Sequence, residues 1–334
     1  MPKRFKGFDE GLLPFSPAAG AINGLSEEEI TAKIIDVAKS PAAAVKWGST
    51  TMEGGPGNTG TTYYHNAITG ITVNAMGLPN IGHIRAVRLQ SRLQPQVEAE
   101  GKPLIPSFSP GKGENPLEVL PAMAYGFVEA GATEIEVNYS CPNKPVDGGG
   151  SYEPVLGYDL DTMFEIDEEI MKEIGPGISL TRKLPPYVGD KRILIPEVAV
   201  YFSSKAEQIR QNDAVILGVS NTIGSQRALT EMGDPALSVG ENKDNLGGAS
   251  GRAFAEMSVD GLKSMIRIVH DSVGIVSSIG VDSGEEVYRR VDFEEADLAE
   301  GVTVLWENER RGKKFGQTIT EMAEQYYRIH QEGA

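Results

Sequence analysis

The chain reads as eight successive strand-then-helix alternations, each a short apolar or β-branched run that leads through a polar or glycine-rich turn toward helical spacing. Parallel strands need crossover connections, and helices are the usual crossover. Eight such units argue for a closed (β/α)8 TIM barrel of the α/β class over an open sheet, with the active site at the C-terminal ends of the strands. No Gly-x-Gly-x-x-Gly follows the first strand, which disfavours a nicotinamide-binding Rossmann arrangement. Strands are expected at 17–21, 42–45, 103–108, 132–137, from 178 to the double proline at 185–186, at 214–220, at 273–279 and around 301–305. Helices are expected after Ser26, where Glu29 completes a capping box, at 116–130, 161–174, 200–211 and 259–270, after the cap Ser283, and at 313–330. A long polar loop is expected between 224 and 246.

At 334 residues the chain is expected to be one barrel domain with flexible ends at 1–12 and 331–334. A hydrophobic content of 40% supports a full core, and the net charge of −16 disfavours nucleic acid and anionic membrane as partners. The single cysteine, Cys141, excludes an intrachain disulfide and any four-cysteine iron–sulfur site carried by this chain alone. The basic start Met1-Pro2-Lys3-Arg4 is followed by no apolar core of a secretory signal, and no window reaches the roughly 20 apolar residues of a spanning helix. A cytoplasmic location is therefore expected.

The chemistry-bearing residues gather at the expected strand ends. Ala18-Ala19-Gly20-Ala21 offers small side chains that let a flat, bulky group approach the backbone. The glycine-rich run 54–60 has the composition of a phosphate cradle, but Pro56 interrupts it and no strand–turn–helix surrounds it, so it reads as a loop or hairpin tip. Asn74-Ala75-Met76-Gly77-Leu78-Pro79-Asn80 can present amides and backbone N–H groups to a small anion; read locally, it is also an ordinary Asx-and-proline turn. Val137-Asn138-Tyr139-Ser140-Cys141-Pro142-Asn143 ends a strand in a thiol flanked by asparagines, before the loop Asp147-Gly148-Gly149-Gly150. A lone cysteine is most often a small buried hydrophobe, and its position is what singles this one out. Lys183 lies near the end of an otherwise apolar strand, which is costly unless it meets an anion or the surface.

The Asn-x-Ser-Cys-Pro-Asn stretch resembles the catalytic loop of the dihydroorotate dehydrogenases, in the soluble class whose base is cysteine, and further matches follow in order from about residue 14 to about 307. Asn74 with Met76, Gly77 and Leu78 resembles the orotate-binding segment, joined by Asn138, Asn143, Asn221 and Thr222 as substrate contacts. Ala19 and Gly20 resemble the first flavin-contacting turn, Lys183 stands in the family's Lys-Leu-Pro-Pro-Tyr, and Ser220, Ser250, Gly251, Gly280 and Thr303 match positions around FMN. The resemblance implies FMN as cofactor, Cys141 as general base, oxidation of dihydroorotate to orotate, fumarate as the acceptor and a homodimer. Chemically this is coherent: no side chain accepts a hydride, so a cofactor must, and an ordinary thiol, with a pKa of about 8.5, needs only a modest depression to act as a base.

Two departures matter. The family's Lys-Ser-x-Thr at the end of the second strand falls, without a gap, on Trp47-Gly48-Ser49-Thr50, which puts Trp47 and Gly48 beside flavin or substrate unless Lys46 shifts by one residue. The glycine pair before the seventh helix is Ile279-Gly280, and the phosphate-side Gly-Thr is Val302-Thr303, substitutions tolerable where φ stays negative. Two other readings stay open: an FMN barrel acting on a different cyclic amide or enoate, and a non-catalytic paralogue.

Overall fold

The computed structural model describes residues 11–141, 154–208, 214–240 and 245–332. The chain begins with β1 (Phe15–Pro17), α1 (Glu27–Ala38), β2 (Val45–Thr50), β3 (Gly60–Thr61), β4 (Tyr63–Asn66), β5 (Ile71–Asn74) and α2 (His83–Glu98). It continues through β6 (Leu104–Phe108), α3 (Pro116–Glu129), β7 (Glu134–Asn138), α4 (Leu160–Ile174), β8 (Ser179–Lys183), α5 (Ile195–Gln208) and β9 (Val215–Val219). Next come β10 (Ile223–Arg227), β11 (Ser238–Val239), β12 (Leu246–Ser250), α6 (Ala255–Ile266) and β13 (Gly274–Ser277). The last elements are α7 (Gly284–Tyr288), β14 (Leu298–Gly301), α8 (Thr303–Arg310) and α9 (Phe315–Glu332).

Eight strands form one sheet in the order β1-β14-β13-β9-β8-β7-β6-β2, and each recorded pairing within it is parallel. The two outer strands meet where Leu13 bridges Ala42 and the Ala43 N–H donates to the Phe15 carbonyl at 2.9 Å. The sheet thereby comes round into the expected barrel, with helices outside it. Those helices begin where side chains satisfy their first N–H groups: Ser26 accepts from Glu29, Asn115 from Leu117 and Asp159 from Thr162. Helix α4 then buries Met163, Ile166, Ile170 and Ile174, an i, i+3, i+4 stripe that faces the strands.

Several elements depart from the spacing of the sequence. Strand β1 ends at Pro17, so the small residues 18–21 form the turn beyond it. Strand β2 continues to Thr50, carrying Lys46 to Ser49 inside the strand. Helix α2 is not legible in the sequence, because it starts at Gly82 without a side-chain cap, contains Pro95 and buries His83, Gln90 and Gln94 among its apolar residues. The last barrel strand stops at Gly301 and Thr303 already opens α8; a Cβ on Gly301 would come within 2.7 Å of the Val281 carbonyl oxygen. In place of one long polar loop, β10 and β12 join β5 and β4 in a second, antiparallel sheet, and β11 pairs with β3. Among the described residues no helix is long and apolar enough to cross a membrane.

Alternation along the strands fills the barrel lumen in layers. Ala43, Ile216, Val276 and Leu298 form a separate apolar cluster at the N-terminal end. Above it, Lys46 of β2 reaches across to Glu136 of β7 and Glu300 of β14, all three at most 1% exposed. The second oxygen of Glu136 accepts from Ser107 at 2.9 Å, while that of Glu300 has only Ser278 at 3.4 Å. Burial opposes the charge on Lys46, but the two carboxylates more than offset it and hold its pKa above the ordinary lysine range. Burial likewise opposes ionisation of Glu136, whose pKa the Lys46 and Lys183 ammoniums nonetheless pull down; for Glu300 burial prevails and its pKa is raised.

Removing the lysine leaves two buried carboxylates facing each other without their shared counter-ion. Lys46→Met is expected to cost about 3–5 kcal/mol of stability in chemical denaturation. Adding Glu300→Gln should recover part of that loss, whereas additive losses would show that the two residues are not coupled.

Candidate active site

The C-terminal ends of the barrel strands open into a cavity of about 570 Å3, within the range of small-molecule and cofactor sites. Its floor and rim come from strand ends: Ala19 and Gly20 after β1, Ser49 in β2, Asn138 in β7, Lys183 in β8, Ser220 after β9, and Glu300 and Gly301 in β14. The second sheet contributes Tyr63, His65, Thr72, Asn74 and Ser250. This sheet is pinned to α8, where Tyr63 donates to Glu307 at 2.9 Å and packs edge-to-face on Trp306, and the Thr72 and Thr303 hydroxyls lie 3.3 Å apart.

One hydrogen-bond chain orients the amides. The Asn138 Nδ2 donates to Ser49 Oγ at 3.1 Å, and its Oδ1 accepts from the Ser140 N–H and hydroxyl at 3.1 and 3.0 Å. Asn221 Nδ2 donates to Ser140 Oγ at 2.8 Å, and its Oδ1 accepts from the Thr222 N–H, also at 2.8 Å. Ser49 is joined through Ser107 to Glu136, so the chain ends on the Lys46 ion cluster. Cys141, 7% exposed, borders the same cavity one residue beyond Ser140. Lys183, 5% exposed, donates to the Ala19 carbonyl at 3.3 Å and thereby ties the end of β8 to the turn after β1.

The structure brings together Ala19, Gly20, Asn74, Met76, Gly77, Leu78, Asn138, Cys141, Lys183, Ser220, Asn221, Thr222, Ser250, Gly251, Gly280 and Thr303 around this one cavity. Asn143 lies outside the described residues. Trp47 and Gly48 do not line the cavity, and the expectation for Trp47 is corrected. Its ring points away from the lumen, donates Nε1–H to Gln90 of α2 at 2.8 Å and packs edge-to-face on Phe127 of α3. The cause is the two-residue period of the strand: with Lys46 turned inward, Trp47 must turn outward. The Gly48 N–H and carbonyl are spent on Ile22 and Gly20, and a Cβ there would lie 2.4 Å from the Ser107 oxygen. Val302 keeps a negative φ of −122°, but Ile279 does not: its φ is +59°. Sequence reasoning missed Ser49, Ser140, Glu300 and the hairpin β4–β5; the β-forming Tyr63-Tyr64 and Ile71-Thr72-Val73 on either side of the Asn66–Gly70 turn were the signal for the last.

The chemistry of the cavity suits a flavin nucleotide. Ser220 Oγ is buried on its wall with no hydrogen-bond partner among the described residues, which leaves a hydroxyl for a bound group. The turn at Gly251 approaches so closely that a Cβ would meet the Gly70 oxygen at 2.3 Å, and one on Gly280 would meet Ala255 at 2.7 Å. Packing within the protein demands both glycines, and the N–H groups of Ile279 and Gly280, without a partner among the described residues, are what an anionic phosphate near the N-terminus of α8 would meet. Lys183, Ser220, the Ala19-Gly20 turn and these backbone groups would hold it.

The dihydroorotate dehydrogenase family model matches residues 13–294. The catalytic subunit of dihydroorotate dehydrogenase B (NAD(+)) from Methanopyrus kandleri is 26% identical over 247 residues, 74% of this chain and 69% of that protein. A DHODH from Eimeria tenella, solved in complex with ferulenol, superposes with a TM-score of 0.72 at 17% identity, covering 96% of this chain and 82% of the other, a likeness of fold.

With Trp47 in the helix interface, Trp47→Phe should leave the Gln90 Oε1 without its donor and lower stability by about 1–3 kcal/mol. Ligand affinity of the folded protein should stay unchanged in a binding titration; a large loss of affinity at unchanged stability would return Trp47 to the cavity.

Proposed function

Because the chain belongs to the dihydroorotate dehydrogenase family, and is therefore a flavin-dependent oxidoreductase acting on a carbon–carbon bond, we propose that it binds FMN and oxidises dihydroorotate with Cys141 as general base. The observation that carries this reading is the convergence of Asn74, Asn138, Asn221, Cys141 and Lys183 on one cavity, with the backbone turns at Gly251 and Gly280 on its border. When bound, FMN supplies the hydride acceptor that no side chain offers.

The protein's own residues do the rest. The asparagine amides both donate and accept, so they can hold the edge of a flat, polyamide substrate without adding charge. Ser140 and Ser49 fix which way the Asn138 and Asn221 amides face. The Cys141 sulfur takes the proton from the substrate carbon next to the one that loses hydride. At 7% exposure it does so largely out of water, where a misplaced proton has few other routes. The Lys183 ammonium sets a positive charge at the cavity floor, suited to a ring that gains electron density.

For the acceptor we propose fumarate, on the resemblance of Met76-Gly77-Leu78-Pro79-Asn80, with the protein acting in the cytoplasm as a homodimer. The name of the Methanopyrus kandleri relative favours a second acceptor, NAD(+). A chain with one cysteine would need a partner subunit to bring any iron–sulfur relay toward it. A different cyclic amide or enoate as substrate is favoured by one feature: Lys46, locked between Glu136 and Glu300, adds no ammonium to the cavity wall.

Anaerobic mixing with dihydroorotate should bleach the flavin absorbance, and fumarate should restore it. Bleaching without recovery on fumarate moves the acceptor elsewhere, and a bound flavin that dihydroorotate leaves yellow rejects the substrate. Cys141→Ser should retain FMN while flavin reduction slows by about a hundred- to ten-thousand-fold, with partial recovery at high pH. An unchanged rate across the pH range would make the thiol a packing residue. Lys183→Ala should release FMN more readily at unchanged fold, read from flavin content after gel filtration.

A further inference from the structure

Arg290 is fully buried, and no part of the proposed chemistry uses it. Its guanidinium sits behind two turns that border the cavity. Nη2 donates to the carbonyls of Ile279 at 3.0 Å and Ala255 at 3.2 Å, and Nη1 lies 3.5 Å from that of Ser278. The side chain is itself held by Glu286 at 2.6 Å, Ser277 at 2.8 Å and Ser258 at 3.1 Å. One planar cation therefore joins the end of β13, the start of α6 and α7.

The consequence follows from peptide geometry. In a trans peptide the carbonyl and the next N–H point in opposite directions. The Ser278 carbonyl accepts from the Ser258 hydroxyl at 2.5 Å and that of Ile279 from Arg290, so both face this buried side and the N–H groups of Ile279 and Gly280 turn the other way. Neither N–H has a hydrogen-bond partner among the described residues, and both residues border the cavity. Both have left-handed backbones, with φ of +59° and +81°. Successive N–H groups left unpaired in a turn make an anion-binding concavity. For a β-branched residue the left-handed conformation is costly, so Ile279 needs an outside restraint, and the guanidinium bound to its carbonyl provides one.

We propose that Arg290 is a positioning residue that holds the 278–280 turn so that two backbone N–H groups face the phosphate of the cofactor. The inference rests on the FMN reading above. It assigns Arg290 no contact with the cofactor, and the charge of the guanidinium is largely answered by Glu286.

The test separates positioning from bulk stability by comparing two ligands that differ only in the phosphate. The full-length protein, stripped of flavin, is titrated with FMN and with riboflavin by fluorescence quenching. The parent should prefer FMN. Arg290→Met should narrow that preference by about ten- to a hundredfold while riboflavin affinity changes little, and Arg290→Lys should fall between. Should Arg290→Met not fold, Glu286→Gln, which loosens the anchor but keeps the guanidinium, should narrow the preference in the same direction. Equal weakening of both ligands, or an unmoved ratio in the folded variants, overturns the proposal. A parent that binds neither flavin overturns the FMN reading itself, and the two failures are thus distinguishable.

Discussion

The ion cluster of Lys46, Glu136 and Glu300 spans the barrel lumen and ties β2 to β7 and β14, none of which pair with one another. A buried cluster of this kind is a poor source of stability compared with an apolar filling, but it tolerates little misalignment. Each member must meet the others with good geometry, and that fixes the inward and outward alternation of β2, β7 and β14. The outward burial of Trp47 and the connection through Ser107 and Ser49 to Asn138 follow from that alternation. The lumen therefore changes character along its axis, from apolar residues at the N-terminal end, through ions, to the amides and the thiol of the cavity.

The two regions of the cavity are built on different principles. Around Cys141 the protein works with side chains, and Ser49 and Ser140 orient the Asn138 and Asn221 amides. At the 278–280 turn and the start of α8 it presents backbone, with glycines where a Cβ would collide and a buried arginine behind the turn. Side-chain chemistry suits a substrate that must be recognised by its edge. Backbone N–H groups suit a phosphate, because they offer directed donors without a mobile charge. The second sheet, pinned to α8 by Tyr63 and Thr72, covers both.

Much of this was legible before any coordinates. The strand-then-helix pattern is local, and so are the caps at Ser26 and Ser283, which is why barrel class and several helix starts could be read directly. Asn74, Cys141 and Lys183 drew attention by their types at strand ends, whereas Asn221 and Thr303 were singled out by the family resemblance, and all five border the cavity. The second sheet escaped because its strands are short and partly polar and pair across long separations, as β5 does with β12. Helix α2 escaped because Gly82 offers no side-chain cap, Pro95 reads as a break, and the buried His83, Gln90 and Gln94 blur its apolar stripe.

By itself the sequence determined the periodicities, and with them a barrel and a set of polar residues at its active end. Only the tertiary structure decided the phase of each strand, because a shift of one residue exchanges lumen for helix interface while leaving the pattern of residue types unchanged. That is why Lys46 and Trp47 could not be assigned from the chain alone, and why the left-handed turn at Ile279 was unforeseen. Its restraint, Arg290, lies 11 positions away in the chain and meets it only once α6, α7 and β13 are packed together.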